Sequence, residues 1–198
     1  MRKAFTTVAC AASLTVLLVS CAQPQPQPAP KQPEAEYRTT ATVKDIMDAL
    51  VDPGSDYIWD SVETVVSAKG VEEKAPKTDE DWKQVRNHAI MLLEATNLLQ
   101  MPGRHVAAPG EKATDPNVEL APEQIEAAIN KDRKAWIAHA HDLHDAVMKT
   151  LQAADAKDKD KLLEVGNDID EACEKCHLVY WYPNEKRPDA APSPRKSD

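Results

Sequence analysis

The sequence predicts an all-α fold, an antiparallel four-helix bundle, and three observations predict it. Apolar residues recur at three- and four-residue spacing in four separate stretches between Val43 and Tyr180. No stretch of useful length alternates apolar and polar residues as a half-buried strand does. Three connections join the four stretches, and antiparallel packing lets four amphipathic helices bury their stripes against one another.

The first stretch reads TVKDIMDALVDPGSDYIWDSVETVV. Val43, Met47 and Leu50 share a face, and Ile58, Val62 and Val65 continue its phase. Pro53 must interrupt it, either as a kink or as a restart with Asp52 as N-cap and Pro53 as first helical residue. The restart is the favoured reading, because Asp-Pro opens a helix well and Gly54 is a poor interior residue. A loop through Gly70 and Pro76 follows.

Thr78 with Asp81 forms an N-cap signature for the second helix, whose stripe is Trp82, Val85, Ala89, Leu92, Thr96 and Leu99. Met101-Pro102-Gly103 stops it, and about twenty irregular residues follow, a length that often covers a site. The third helix is expected from Pro122, with Ile125, Ile129, Trp136, Ala140, Leu143, Val147 and Leu151 inward and charges at 131–134 thinning the stripe. The alternating Asp and Lys residues of 155–161 read as a solvated turn and first helical turn. The last helix places Leu162, Val165, Ile169, Cys173 and Cys176 on one side, with Tyr180 close behind.

Near the end of that helix stands Cys173-Glu174-Lys175-Cys176-His177. Residues three and four apart share a helix face, so two thiols and one imidazole project together. This is the c-type haem attachment pattern: Cys173 and Cys176 for covalent attachment of one haem c, His177 as proximal ligand of the iron. A structural zinc site needs a further Cys or Cys/His pair, which the chain beyond residue 21 lacks. A thioredoxin-like pair normally opens a helix after a strand, whereas this one lies near a helix's carboxyl end. Chance is the remaining alternative.

The start of the chain has a basic pair, Arg2 and Lys3, an apolar run over 11–19, and Leu18-Val19-Ser20-Cys21. It resembles a bacterial lipoprotein signal, which implies that residues 1–20 are removed and that Cys21 is lipidated; an ordinary secretory signal is the alternative, and both mean export. Arg2 and Lys3 are the only charged residues before Cys21, so the formal charge of −9 becomes −11 from Cys21 onward. That acidity argues against nucleic acid and suits a basic redox partner. No later segment approaches the length of a membrane span, so a lipid anchor would be the only attachment to the membrane. The Pro/Gln-rich stretch from Ala22 to Glu36 reads as an extended tether able to reach about 45 Å at ~3 Å per residue. Residues 183–198 read as a disordered tail, leaving a helical haem domain over 37–182.

An exported four-helix chain with this motif in its last helix resembles the class II cytochromes c, the cytochrome c prime group. The resemblance implies a haem between helices near one end of the bundle. It also implies a first-helix residue on the distal side: a methionine in electron-transfer members, a non-ligand in five-coordinate members that bind nitric oxide or carbon monoxide. Met47 matches the methionine by helix and by face, and as a core residue it would simply fill a gap. Met91, Met101 and Met148 lack first-helix placement. Relatives usually carry an arginine one turn before the distal residue, where this chain has Lys44, with Arg38 further off. Relatives often dimerise through their first two helices, and the Pro53 break leaves homodimerisation open.

His139, His141 and His144 cannot all bind one ion from one helix, since His139 and His144 fall on opposite borders of the stripe and His141 faces solvent. A bis-histidine haem using His88, His139 or His144 is the alternative to Met47, and His105 has no evident role. Trp59, Trp82 and Trp136 read as packing, and Tyr180 and Trp181 as residues beneath the haem or at the bundle's end. With one Phe in the chain, the core depends on aliphatics, tryptophan and the haem, so the haem-free chain is expected to fold poorly. The function expected is single-electron transfer in the periplasm, from a lipid anchor of the outer-membrane sorting type. No nucleophile–base motif, phosphate loop or paired carboxylates suggest an enzyme. The alternatives are a five-coordinate gas-binding haem and a structural lipoprotein with a vestigial haem.

Overall fold

A computed structural model describes residues 37–185, which are mostly helical. Cys10, Cys21, the expected signal and tether, and residues 186–198 of the expected tail lie outside them. The elements are α1 (Val43–Ile46), a π-helical segment (Met47–Val51), α2 (Asp52–Ser61), β1 (Glu63–Ser67), β2 (Gly70–Lys74), α3 (Asp79–Leu99), α4 (Pro122–Lys131), α5 (Arg133–Ala156) and α6 (Lys159–Tyr180). No helix among the described residues is long and apolar enough to cross a membrane.

The expected restart at Asp52 does not occur. A capping box of Thr42 and Asp45 opens α1, and the backbone stays right-handed helical through Val51 and Asp52 into α2. The Asp52 N–H donates to the Met47 carbonyl, five residues back, and Asp52 caps nothing. Pro53 lacks an N–H, and its ring would collide with a carbonyl one regular turn earlier. Widening that preceding turn to π geometry keeps the helix going. Gly54 is the second departure from expectation. A Cβ there would stand 2.9 Å from Leu92 Cγ, so its absence lets α2 and α3 approach closely.

The all-α expectation fails between α2 and α3, where β1 and β2 pair antiparallel with Val66 opposite Val71. The β-branched Val62, Thr64, Val65 and Val66 and the turn ending at Gly70, whose φ is 124°, favour a hairpin. Every residue of both strands is exposed, so Val65 does not continue the buried stripe. The third expected helix is two: Asp132 ends α4 and caps α5, its carboxylate accepting from the Ala135 N–H at 3.0 Å.

Most of the remaining stripes bury as their periodicity requires, while Leu151, Cys173 and Cys176 are half-buried. Trp82, Val85, Ala89, Leu92, Thr96 and Leu99 of α3 are buried, as are Trp136, Ala140, Leu143 and Val147 of α5 and Leu162, Val165 and Ile169 of α6. Cross-helix contacts fix the directions. Arg86 pairs with Asp155 at 2.9 Å, while Trp136 Nε1–H donates to the Leu99 carbonyl at 2.9 Å, so α3 and α5 run antiparallel. Lys149 meets Asp168 at 2.7 Å and Trp136 meets Tyr180, giving the same relation for α5 and α6. Tyr57 stacks on His88 at 3.9 Å while Gly54 faces Leu92, so α2 and α3 are antiparallel too. Trp59 Nε1–H donates to the Gly166 carbonyl at 3.0 Å and joins α2 to α6.

The long connection between α3 and α4 is tied at both ends. Backbone N–H groups of Val43 and Lys44 donate to the carbonyls of His105 and Val106 at 2.9 and 3.0 Å. The Arg104 guanidinium reaches the carbonyls of Leu98 and Ala41 and the Met101 sulfur, and burial lowers its pKa. Lys44 pairs with Glu111, and His105 with Glu126. Further on, the Leu120 N–H donates to the Trp181 carbonyl at 2.8 Å, which fastens the connection to the end of α6.

Candidate functional site

Cys173, Cys176 and His177 line one cavity of about 320 Å³, together with Met47. The volume lies at the small end of the usual range for ligand clefts. Met47 and Val51 come from the π segment, Ser55 and Trp59 from α2, Leu99 from α3, Trp136, His139, Ala140 and Leu143 from α5. The wall is thus mainly aromatic and aliphatic. Trp59 and Trp136 hold their positions through the hydrogen bonds to Gly166 and Leu99, so their rings face the cavity with no indole donor left over.

The two thiols are free of any disulfide. Burial, first, and neighbouring acidic groups push the pKa of each up to about 12, so both are protonated at neutral pH. They lie in the last turns of α6, where the helix presents its negative end rather than the positive end that stabilises a thiolate. A redox CxxC pair works through a thiolate of lowered pKa, and this environment does the reverse. His177 is also desolvated, which lowers its pKa and favours the neutral imidazole a metal requires, against a smaller opposing effect of Glu174. Its ring stands beside Trp181 and Tyr182, with centroids 6.0 and 5.8 Å away. Tyr182 in turn donates to the Glu174 carboxylate at 3.0 Å.

Of the methionines weighed from sequence, Met47 alone lines the cavity. Met91 reaches the Gly54 contact, Met101 meets Arg104, and Met148 packs on the core. The histidines separate similarly. His88 Nδ1 pairs with the Gln84 carbonyl under the Tyr57 ring, His144 Nδ1 with Thr96 Oγ1 at 3.1 Å, and His141 is exposed. Only His139 reaches the cavity, with Tyr180 edge-on at 5.8 Å. Lys44 is committed to Glu111 at the outer surface.

The cavity's polar wall is acidic. Asp52, Asp56, Asp170 and Glu174 all contribute to it. Desolvation, then repulsion by Asp48 and Asp56, raise the pKa of Asp52. Sequence reading missed this acidic rim and Ser55, whose hydroxyl is buried without a partner. The four-residue repeat Asp48, Asp52, Asp56 was a legible signal for the first; Ser55 had none.

No three His, Cys, Asp or Glu side chains converge on a point for a bare metal ion among the described residues. The donor set is instead two protonated thiols, a neutral imidazole and a thioether around a cavity with aromatic and aliphatic walls and an acidic rim. These residues fit a covalently held haem. No family model matches the chain, and neither a curated protein nor a solved structure does.

Proposed function

We propose that this chain is a monohaem c-type cytochrome with a class II, antiparallel four-helix bundle arrangement. In this reading it carries single electrons in the periplasm from a lipid anchor at Cys21. The observation that supports this most is the convergence of the Cys173-Cys176-His177 face of α6 and Met47 on one cavity. Two sequence features 126 residues apart, Met47 and Cys173, line the same cavity.

Cys173 and Cys176, both free thiols, would hold the haem covalently. The bound haem would supply one-electron chemistry between ferric and ferrous iron. His177 would hold the iron through its neutral imidazole, and Met47 would offer it a soft thioether, a ligand that raises haem potentials. Trp59, Leu99, Trp136 and Leu143 give the cavity an apolar inner wall that would exclude water once a haem fills it. The acidic rim would steer a basic redox partner toward the opening. No group here is assigned to acid–base catalysis, and the protein is proposed as a carrier rather than an enzyme.

A second reading, a five-coordinate haem for a diatomic gas, draws on one observation. Met47 opens a π turn and is half-buried, whereas its neighbours Ile46 and Val51 are buried. The test is the absorption spectrum of the full chain matured with haem, ferric and ferrous, with and without carbon monoxide. The expected result is a low-spin spectrum with a methionine–iron charge-transfer band that Met47→Ala abolishes. A high-spin spectrum that shifts promptly with carbon monoxide would favour the gas-binding reading, and the absence of haem absorption would overturn both.

A further inference from the structure

Three buried side-chain polar atoms among the described residues lack a hydrogen-bond partner: Ser55 Oγ, His139 Nδ1 and Thr150 Oγ1. Two of the three belong to residues of the candidate haem cavity. Native structures leave few such groups unpaired, so the coincidence bears on what the cavity holds.

His139 is the informative member because a neutral imidazole has one proton to place. On Nδ1 it would be a buried donor with nothing to donate to. On Nε2 it leaves Nδ1 as an unmet acceptor, the smaller penalty, since buried orphan N–H groups are the rarer kind. Nε2 itself is neither bonded nor buried, and the residue lines the cavity. The proton therefore belongs on Nε2, facing accessible space.

Ligation of iron through Nε2 would force the proton onto Nδ1, and a metal-bound histidine normally donates that second N–H to a partner. His139 has none. We infer that His139 is a hydrogen-bond donor, through Nε2–H, to a small neutral diatomic ligand taking the place of Met47, and not itself an axial ligand; this rests on the haem reading. A thioether is a weak acceptor, so while Met47 fills the cavity the donor lacks a good partner. The Asp52, Asp56, Asp170 and Glu174 carboxylates disfavour an anion in that place.

The test uses the full chain matured with haem. In Met47→Ala, which opens the site, the C–O stretch of the ferrous carbon monoxide complex should lie lower with His139 than with His139→Leu. His139→Gln, which keeps a donor, should fall between. Carbon monoxide should leave about fivefold faster from the Leu variant, the factor equivalent to one neutral hydrogen bond. With Met47 present, His139→Leu should keep the methionine–iron band. Loss of that band, or a stretch and rate indifferent to residue 139, overturns the donor role. Nitrogen-15 NMR of the unsubstituted ferrous chain gives the tautomer directly: a proton on Nδ1 of His139 overturns it without any variant having to fold. A chain without haem absorption overturns the underlying haem reading instead.

Discussion

Asp52 shows how one carboxyl can stand at cost beside the candidate cavity. Asp48 and Asp56 are its i−4 and i+4 neighbours, and no cation pairs with any of the three among the described residues. Like charges at that spacing cost about 0.2–0.5 kcal/mol each. The folded pKa is raised, so the folded chain takes up the proton before the unfolded one as pH falls. The penalty is therefore complete above the folded pKa and relieved as pH drops through it toward the unfolded value. Asp52→Asn should stabilise the haem-loaded chain at about pH 7 by roughly 0.5–1 kcal/mol, with the gain shrinking in acid. Urea midpoints at both pH values measure this, and an equal gain at both would remove the charge explanation. Residue identity also explains what the sequence disclosed of the site. Cys173, Cys176 and His177 were legible because adjacent spacing alone puts them on one face; helical phase misjudged Met47, since across the π turn Ile46 and Val51 are buried and Met47 and Leu50, expected on the buried stripe, are half-buried. The division among His88, His139 and His144 was not legible, since contacts between helices decide it: His88 stacks on Tyr57 while bonding the Gln84 carbonyl of its own helix, His144 bonds Thr96 of α3, and His139 meets only the edge of Tyr180, its Nδ1 unpaired.

Helices α2 and α3 show where propensity and packing disagree. Gly54 in a helix interior costs about 1 kcal/mol relative to alanine, which led to the expectation of a break at Pro53. The contact decides otherwise. An alanine Cβ would sit 2.9 Å from Leu92 Cγ and 3.1 Å from Met91 Cε, and Leu92 is fully buried, so the branch carbon cannot swing away freely. Overpacking of this kind costs about 1–3 kcal/mol, enough to cancel the propensity gain. Gly54→Ala should destabilise by up to about 2 kcal/mol and shift the Tyr57–His88 stack; a thermal midpoint raised by the substitution would show that propensity prevails. The hairpin and the Asp132 break were hidden for a related reason. Both strands are exposed on every residue, so no alternation marks them. In α4 and α5 the apolar stripe resumes after the break, so periodicity alone reads as one helix.

At the scale of the molecule, side chains of the π segment, α2, α3, α5 and α6 line a cavity that they leave open, and this bears on whether the chain folds without the proposed haem. The cavity is open to solvent, so without an occupant water wets Trp59, Trp136, Leu99 and Leu143, and apolar surface left wet forgoes about 25 cal/mol per Å² of burial. Typical domain stability is only about 5–15 kcal/mol, so an unfilled cavity weighs against it. The regions least dependent on the cavity are α3 with the adjoining part of α5, held by Arg86–Asp155 and Lys157–Asp79, and the Arg104 ties to the first helix. The end of α6 depends on it most, because Cys173, Cys176 and His177 have their faces there. A full chain produced without haem attachment should therefore lose a substantial part of its helical circular dichroism and melt over a broad range, with hydrogen exchange fastest in the last turns of α6 and around Met47. Full helicity with a sharp transition would mean that the cavity supports itself and that the helices, not the cofactor, hold the site open.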